Sequence, residues 1–536
     1  MPTYSQAGRF GPAVISGAPV GVPLRVLDAT GSDALLFRDA SKNKTMSPFV
    51  RSDDAGLVTF HADPGTYSVR WTGGSATVTV AGVAARASTA PPAVGQVFTP
   101  AEGVLAALRR GQSACMGLVS DSTGDEGIAE WFGILGQRIA TRYGANLVYQ
   151  TWSDTNQNYN MPTTLQSGPA GERYASFAAG SLSYTGPASI TGDVEIVMRI
   201  RMPVWASGST QTIASKYDTA SGNNRGWFLQ ISPSGRLGFQ WSADGITGNL
   251  SSHGSVLPFA NGEWGLVKVL FDVDNGATGN ALTVSTSTDN GATWVPLGTA
   301  NTVAGVASIF NNSTIPYMIG GWGLPTPVNP FTGDIAWIEI RNGISGPTMA
   351  PPMPDDWDQE TGAASNTLTF VGSPTLWMVA GAQSGQNFAY FDNVTRRPKL
   401  LAQKGQRLLF ISNGHNEANQ TSSKWLNLYS AFVTNAKTLL PGIPLVGITQ
   451  NPTSSPLTAN TQAVRAKRGS WLATWGASQA GVYVVDTYAA FSNAAVENKA
   501  DGLHPSIVGG APAGTSGSEV WADHVDRVLF GATSGL

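Results

Sequence analysis

The chain has a single cysteine, Cys115, in 536 residues, so no intramolecular disulfide can staple it. That thiol sits beside the apolar run Met116–Val119 and reads as a packed core position rather than a reactive one. Charge is scarce. Asp, Glu, Lys and Arg make up 12% of residues, about half the usual share, and the net charge is −3. Nothing in that balance attracts nucleic acid or an anionic membrane surface. No stretch approaches the ~18 uninterrupted apolar residues of a membrane helix, so no membrane insertion is expected. The opening MPTYSQAGRFGPAV lacks a basic start followed by an apolar segment, and no signal peptide is expected. Histidine is rare too, with five in the chain, so every candidate base can be weighed in turn.

What is abundant is glycine, with 63 residues, alongside a hydrophobic content of 42%. The pattern is that of a β-rich protein with an uncharged polar surface, common outside cells or on particles. A virus particle released by lysis reconciles such a surface with the missing export signal; a non-classical secretion route is the alternative.

Residues 1–85 read as short strands separated by turn residues, as in PLRVLDATG and GLVTFHADPGTYSVRW, and predict a small β-sandwich. Residues 86–100, RASTAPPAVGQVFTP, read as a linker. From 101 the pattern becomes strand, helix, strand. Met116–Val119 is apolar and reads as the core of a strand at 116–121, and Ile128, Trp131, Phe132, Leu135 and Ile139 fall on one helical face. A further strand covers 145–152. Residues 166–350 are then all β, with Ser-Gly and Asn-Gly hairpin turns at 234–235 and 290–291, and predict a two-sheet jelly roll. MAPPMPDDWD (349–358) reads as a closing linker. The α/β rhythm resumes in 351–536 with strands at 375–381, 407–412, 444–450 and 481–486. One α/β domain, 101–165 plus 351–536, is interrupted by a β domain. Its strands predict a parallel sheet covered on both faces.

The stretch SDSTGD places Ser122 on the turn from an apolar strand to a helix, which is how a nucleophile is presented. It is equally the composition of an ordinary strand–helix loop. A serine nucleophile needs a histidine base, an acid to orient that base, and N–H donors for the oxyanion. His61 and His253 fall in β domains and His524 in the last helix, which leaves His415 and His504 in loops after strands of the α/β domain. His504 stands in DGLHPS three residues after Asp501, a spacing that also makes a simple turn. GAQSGQN carries Gly385 and NGHNE carries Asn416, each after a strand. Glycine lets a backbone N–H approach a ligand, and an Asn amide can donate to an oxyanion.

Ser122, Gly385, Asn416 and Asp501-x-x-His504, in that order, resemble the four blocks of the SGNH (GDSL-type) hydrolases. The resemblance implies a flavodoxin-like α/β/α domain that cleaves esters through an acyl-enzyme. Ser122, Asp501 and His504 would be catalytic, the N–H groups of Ser122 and Gly385 with the Asn416 amide would line the oxyanion hole, and no cofactor or metal would be needed. Two positions depart from the blocks: Ser120 stands where Gly is usual and Glu417 where Asp is usual. The second change could alter how its loop is braced. The inserted β domain resembles concanavalin/laminin-G-like lectin domains, through STDNGATWVPLG and PFTGDIAWIEIRNG. Such domains often bind glycans and sometimes calcium; Asp272 and Asp274 are equally turn residues. The N-terminal domain is similar to small β modules of phage tail proteins.

These resemblances imply a minor tail or receptor-binding protein of a phage virion, acting outside the host cell. Its partners would be other tail proteins, a bacterial surface glycan and further copies of itself, such as a trimer. The expected function is O-deacetylation of that glycan. A non-catalytic tail lectin and a hydrolase of envelope lipid esters are the alternatives. The insertion is expected to hold glycan on Trp241, Trp264, Trp322 and Trp337, at least half of them core residues, and to be dispensable for small esters. A neutral insertion or an oligomerisation surface is the other reading of it.

Overall fold

The computed structural model describes nine strands between Tyr4 and Val80, and residues 100–531. Within the latter it omits 126, 179, 187–188, 220–221, 223, 324–325, 360–367, 403, 418–420, 454–458, 492–496, 502 and 508–515. The chain forms two compact units, Met1–Thr99 and Pro100–Leu536. In the first, the strands make two sheets. One has five strands with Val58–Ala62 at its centre, and the other has four, including the hairpin Gly65–Trp71/Gly74–Val80. The expected linker 86–100 lies outside the described residues, save its last position.

The second unit is built on a parallel sheet of six strands: β1 (Ala114–Ser120), β2 (Asn146–Ser153), β3 (Thr375–Ala382), β4 (Gln406–Ser412), β5 (Leu445–Ile448) and β6 (Val482–Val485). Their order is β2-β3-β1-β4-β5-β6. All seven residues of β1 are buried, as expected of a central parallel strand covered on both faces. Without β2, on which Asn158–Tyr159 and Thr163–Gln166 add short antiparallel strands, the order is that of a flavodoxin-like sheet, in which the first strand marks the switch point. Ligand sites in open α/β sheets lie at that point, beyond the strand C-termini. Ser122 follows β1 there.

Helices α1 (Glu102–Arg109), α2 (Trp131–Tyr143) and α5 (Gly517–Phe530) cover one face. Trp131, Phe132, Leu135 and Ile139 of α2 are fully buried, and Trp131 stacks on Trp521 of α5 at 5.7 Å. Ile128 does not join that stripe. It is 41% exposed, in a short 3-10 turn, because the helix begins only at Trp131. Gly144 ends α2 in the left-handed conformation, φ 60°.

The other face is covered by α3 (Ser422–Leu439) and α4 (Ala459–Ala477), and there the β insertion completes the layer. Val197, Leu266 and Trp337 of the insertion share one apolar cluster with Trp152, Tyr159 and Trp377 of the sheet. Trp337 meets Trp377 edge to face at 6.3 Å. Beside them lies a buried ionic network: Glu339 accepts from Lys404 at 2.5 Å, and Arg341 pairs with both Glu339 and Glu195. The insertion therefore shares a core with the α/β domain, rather than hanging from it as a separable module.

The insertion is a sandwich of two antiparallel sheets. It closes later than 350. Asp358–Gln359 pairs with Leu182–Tyr184, and Leu368–Val371 pairs with Tyr174–Phe177, so the strands where the chain enters and leaves lie side by side. Residues 349–358 are not a free linker either. Pro351, Pro352, Met353, Pro354 and Trp357 are buried, and Asp355 and Asp356 pair with Arg173 and Arg407.

Candidate active site

Register brings the loops together. Ser120 sits opposite Ala382 of β3 and Ser412 of β4, so the segments carrying Ser122, Gly385 and Asn416 leave the sheet at one level. The turn after β1 is tight. A Cβ on Gly124 would come within 2.8 Å of Leu118 and Ser120, so only glycine fits. Asp121 ties this turn to the loop after β4. It is fully buried, and its carboxylate accepts the N–H groups of Gly414 (3.0 Å), His415 (2.9 Å) and Thr123 (3.2 Å). Burial pushes its carboxyl up, against the pull of those N–H groups.

Ser122 Oγ lies 2.7 Å from His504 Nε2, and His504 Nδ1 lies 2.7 Å from Asp501 Oδ2. Asp501 also accepts the N–H groups of Leu503 and His504, at 2.7 and 3.1 Å. Partial burial raises its carboxyl, but the His504 ring and those two N–H groups outweigh this and hold it below the usual carboxylate range. The loop is clamped on both sides. Lys499 N–H donates to the His504 carbonyl (2.8 Å), and Asn451, just past β5, donates its amide to the Leu503 carbonyl (3.0 Å). The site lies at the surface, with the His504 side chain 27% and that of Asp501 42% exposed.

Gly385 sits in the loop after β3 at φ +73°, and its neighbour Ser384 donates its N–H to Asp125 at 2.8 Å. Asn416 is exposed and donates Nδ2–H to the Gln386 carbonyl (2.9 Å), joining the two loops. Glu417, which stands where the third block usually has Asp, is buried and accepts the Phe388 N–H at 2.9 Å. The longer side chain thus braces the Gly385 loop from below.

The four tryptophans do not gather on one exposed face. Trp241 is buried in the sandwich core against Phe271 (4.6 Å), and Trp337 is buried against the sheet. Trp264 is flanked by Tyr174 and covered by Arg199 and Arg201, and Trp322 packs on Tyr217 and Phe228. Asp272 and Asp274 accept N–H groups of their own turn. Cys115 is buried. A cavity of about 600 Å³ in the seam, walled on the insertion side by Trp264 and Trp337, is lined on the sheet side by Ser113, Asn146 and Thr375. Those residues lie at the entry ends of β1, β2 and β3, the opposite end of the sheet from Ser122.

Three residues at the site carry no recognisable signal in the sequence. Asp121 stands within SDSTGD but has the look of a turn residue. Arg465, on α4, donates Nη2–H to His415 Nδ1 at 2.9 Å and Nη1–H to the Asn451 carbonyl at 2.9 Å. Arg468 donates to the carbonyls of Gly414 and Glu417.

No family model and no curated protein matches the sequence. Among solved structures, the chain is similar to a peptidoglycan O-acetylesterase at 12% identity and a TM-score of 0.31, covering 81% of this chain and 97% of that one. It is similar to a mutant acetyl esterase with acetate ion at 16% identity and a TM-score of 0.23, over 28% and 70% of the two chains. It is also similar to the CBM40 of the Ruminococcus gnavus IT-sialidase at 17% identity and a TM-score of 0.22, over 30% and 92%. Likenesses at this level carry no functional weight; the side-chain geometry has to do so.

Proposed function

We propose that the protein is a serine ester hydrolase acting through an acyl-enzyme. The observation that carries this is the continuous line from Ser122 Oγ through His504 to Asp501, with both links at 2.7 Å. Ser122 Oγ attacks the acyl carbonyl while His504 Nε2 takes its proton. Asp501 accepts the Nδ1–H, which fixes the tautomer and stabilises the imidazolium. The tetrahedral oxyanion is met by the N–H groups of Ser122 and Gly385 and by the Asn416 amide. His504 then returns the proton to the leaving alcohol. Water, deprotonated by the same ring, releases the acid and restores Ser122.

The substrate we infer is an acyl group, acetyl above all, on a carbohydrate polymer. The exposure of His504 and Asp501 supports this, since an open site admits an ester projecting from a bulky chain. The test measures hydrolysis of a small acetyl ester, a long-chain ester and an O-acetylated polysaccharide, with wild type and Ser122→Ala. The variant should lose on the order of 10⁴-fold or more in turnover while keeping its fold. A near-wild-type rate in Ser122→Ala would overturn the mechanism. Preference for the long-chain ester would overturn the substrate class.

A further inference from the structure

A second histidine lies against the first. The rings of His415 and His504 are stacked, with centroids 5.9 Å apart and planes 16° from parallel. His415 follows Gly414 in the loop after β4, and its backbone N–H is held by Asp121. Its ring is held at one edge by Arg465 Nη2 on Nδ1. Arginine has donors only, so Nδ1 must offer a lone pair. The ring proton is then on Nε2, and the Asn451 side chain beside the ring only partly offsets the effects that lower its basicity.

We propose that Arg465 and His415 are positioning residues for the general base. Arg465 pins His415 as the neutral Nε2–H tautomer, and that ring, stacked on His504, holds the catalytic imidazole toward Ser122 Oγ. This rests on the hydrolase reading above. Asp501 fixes the tautomer of His504 through one edge, but it is itself half exposed, and a single edge bond leaves the ring free to swing about it. A face-to-face neighbour removes that freedom.

Neutrality of the second ring matters as much as its place. Proton transfer from Ser122 makes His504 an imidazolium, and a second cation stacked on it would oppose that charge. The charged groups around His415 are Arg465 and Arg468 from α4, Asp121 from the β1 loop, and His504 with Asp501 from the final loop. Burial first, then Arg465, then His504 hold the His415 ring well below the ordinary histidine range. Protonating Nδ1 would also break the Arg465 bond. The guanidinium thus keeps a stacking surface from becoming a competing charge.

The experiment combines ring NMR with kinetics on the full chain. In ¹⁵N-histidine spectra of wild type, His415 should show the Nε2–H tautomer and no titration between about pH 5 and 8, where free histidine would change charge. His415→Ala should lower kcat on a small acetyl ester roughly 10–100-fold, the scale of a misplaced catalytic group, with KM within about 3-fold. His415→Phe keeps a ring that cannot protonate and should recover most of kcat, which also separates positioning from loss of fold. Arg465→Met should let His415 titrate and should cut kcat on the acid side, where the second ring gains charge. A wild-type His415 that titrates or carries its proton on Nδ1, or unchanged kcat in His415→Ala, would overturn the proposal. A wild type that hydrolyses no ester would instead sink the hydrolase reading, and this role with it.

Discussion

Glu339 in the β insertion and Lys404 in the α/β domain form an ion pair of 2.5 Å in which neither side chain is more than 1% exposed. Arg341 pairs with the same carboxylate, also at 2.5 Å, and Gln150 of β2 donates to it at 3.2 Å. Lys404 and Gln150 reach this buried acid across the seam between domains, and Arg341 meets it from its own strand. Burying charges costs free energy unless each is partnered, so this cluster is a strong constraint on how the two parts can sit.

Glu339→Gln should therefore destabilise the second unit by about 3–5 kcal/mol, because buried Lys404 would lose its counter-charge while Arg341 keeps only Glu195. The pH profile has a defined sign. Burial alone would raise the Glu339 carboxyl, but Lys404 and then Arg341 overcome this and hold it at about 2. A depressed carboxyl contributes stability above its unfolded value, near ~4.3, and loses it as pH falls toward about 2. Denaturant titrations should show wild type losing on the order of 3 kcal/mol more than Glu339→Gln across that window. Parallel pH curves for the two would show that the network carries no such linkage.

Deleting the insertion tests the shared core. The sequence suggests a tether that could be replaced by a short linker while small-ester hydrolysis survives. The structure places Val197, Leu266 and Trp337 against Trp377, Trp152 and Tyr159, and deletion of about 165–371 would bare that surface. Exposing a contiguous apolar face of this kind leads to aggregation or unfolding. Hydrolysis of small and polymeric esters should fall together, with the protein insoluble or molten by near-UV circular dichroism. A soluble deletion variant with full activity on a small ester would restore the tether.

Why the sequence misses this seam is physical. β1, β3 and β4 are legible because strands buried on both faces are locally apolar, and the loops after them are legible because strand ends and turn residues are local signals. Contact between Trp337 and Trp377 joins segments 40 residues apart, and the local pattern of neither strand names the other as its partner. Pro351–Pro354 shows the same limit. Proline and aspartate mark a linker by composition, yet here the stretch packs into the seam. Arg465 is hidden for a related reason. A buried arginine on a helix reads as surface charge until the loops that receive its N–H groups are folded over it.

The N-terminal unit makes a separate prediction. Met1–Thr99 and Pro100–Leu536 each form a compact body, and every residue of the candidate site lies in the second. A chain beginning at residue 100 should express as a folded protein with kcat and KM on a small acetyl ester within about 2-fold of the full chain, the scatter expected between independent units. Loss of folding or of activity would assign the first unit a part in the second unit's core.

Glu417 offers the sharpest test of loop bracing. Its carboxylate reaches the Phe388 N–H at the start of the short helix Phe388–Phe391, just beyond Gly385 and Asn387. The same loop is tied to the third block by the Asn416 amide on the Gln386 carbonyl. Glu417→Gln keeps an acceptor of the same length and should leave kcat within about 3-fold, since a neutral oxygen can still take the N–H. Glu417→Asp is one methylene shorter and should lose the contact. A displaced Gly385 N–H then weakens oxyanion stabilisation, which appears in kcat rather than in KM because the charge exists only in the transition state. A loss of roughly 10–100-fold in kcat is expected for Glu417→Asp, below the roughly 10²–10³-fold expected for removing a donor outright in Asn416→Ala. Near-wild-type rates in both the Asp and Gln variants would show that the Phe388 contact holds nothing the chemistry needs. Equal losses in both would point to the charge of Glu417 rather than its reach.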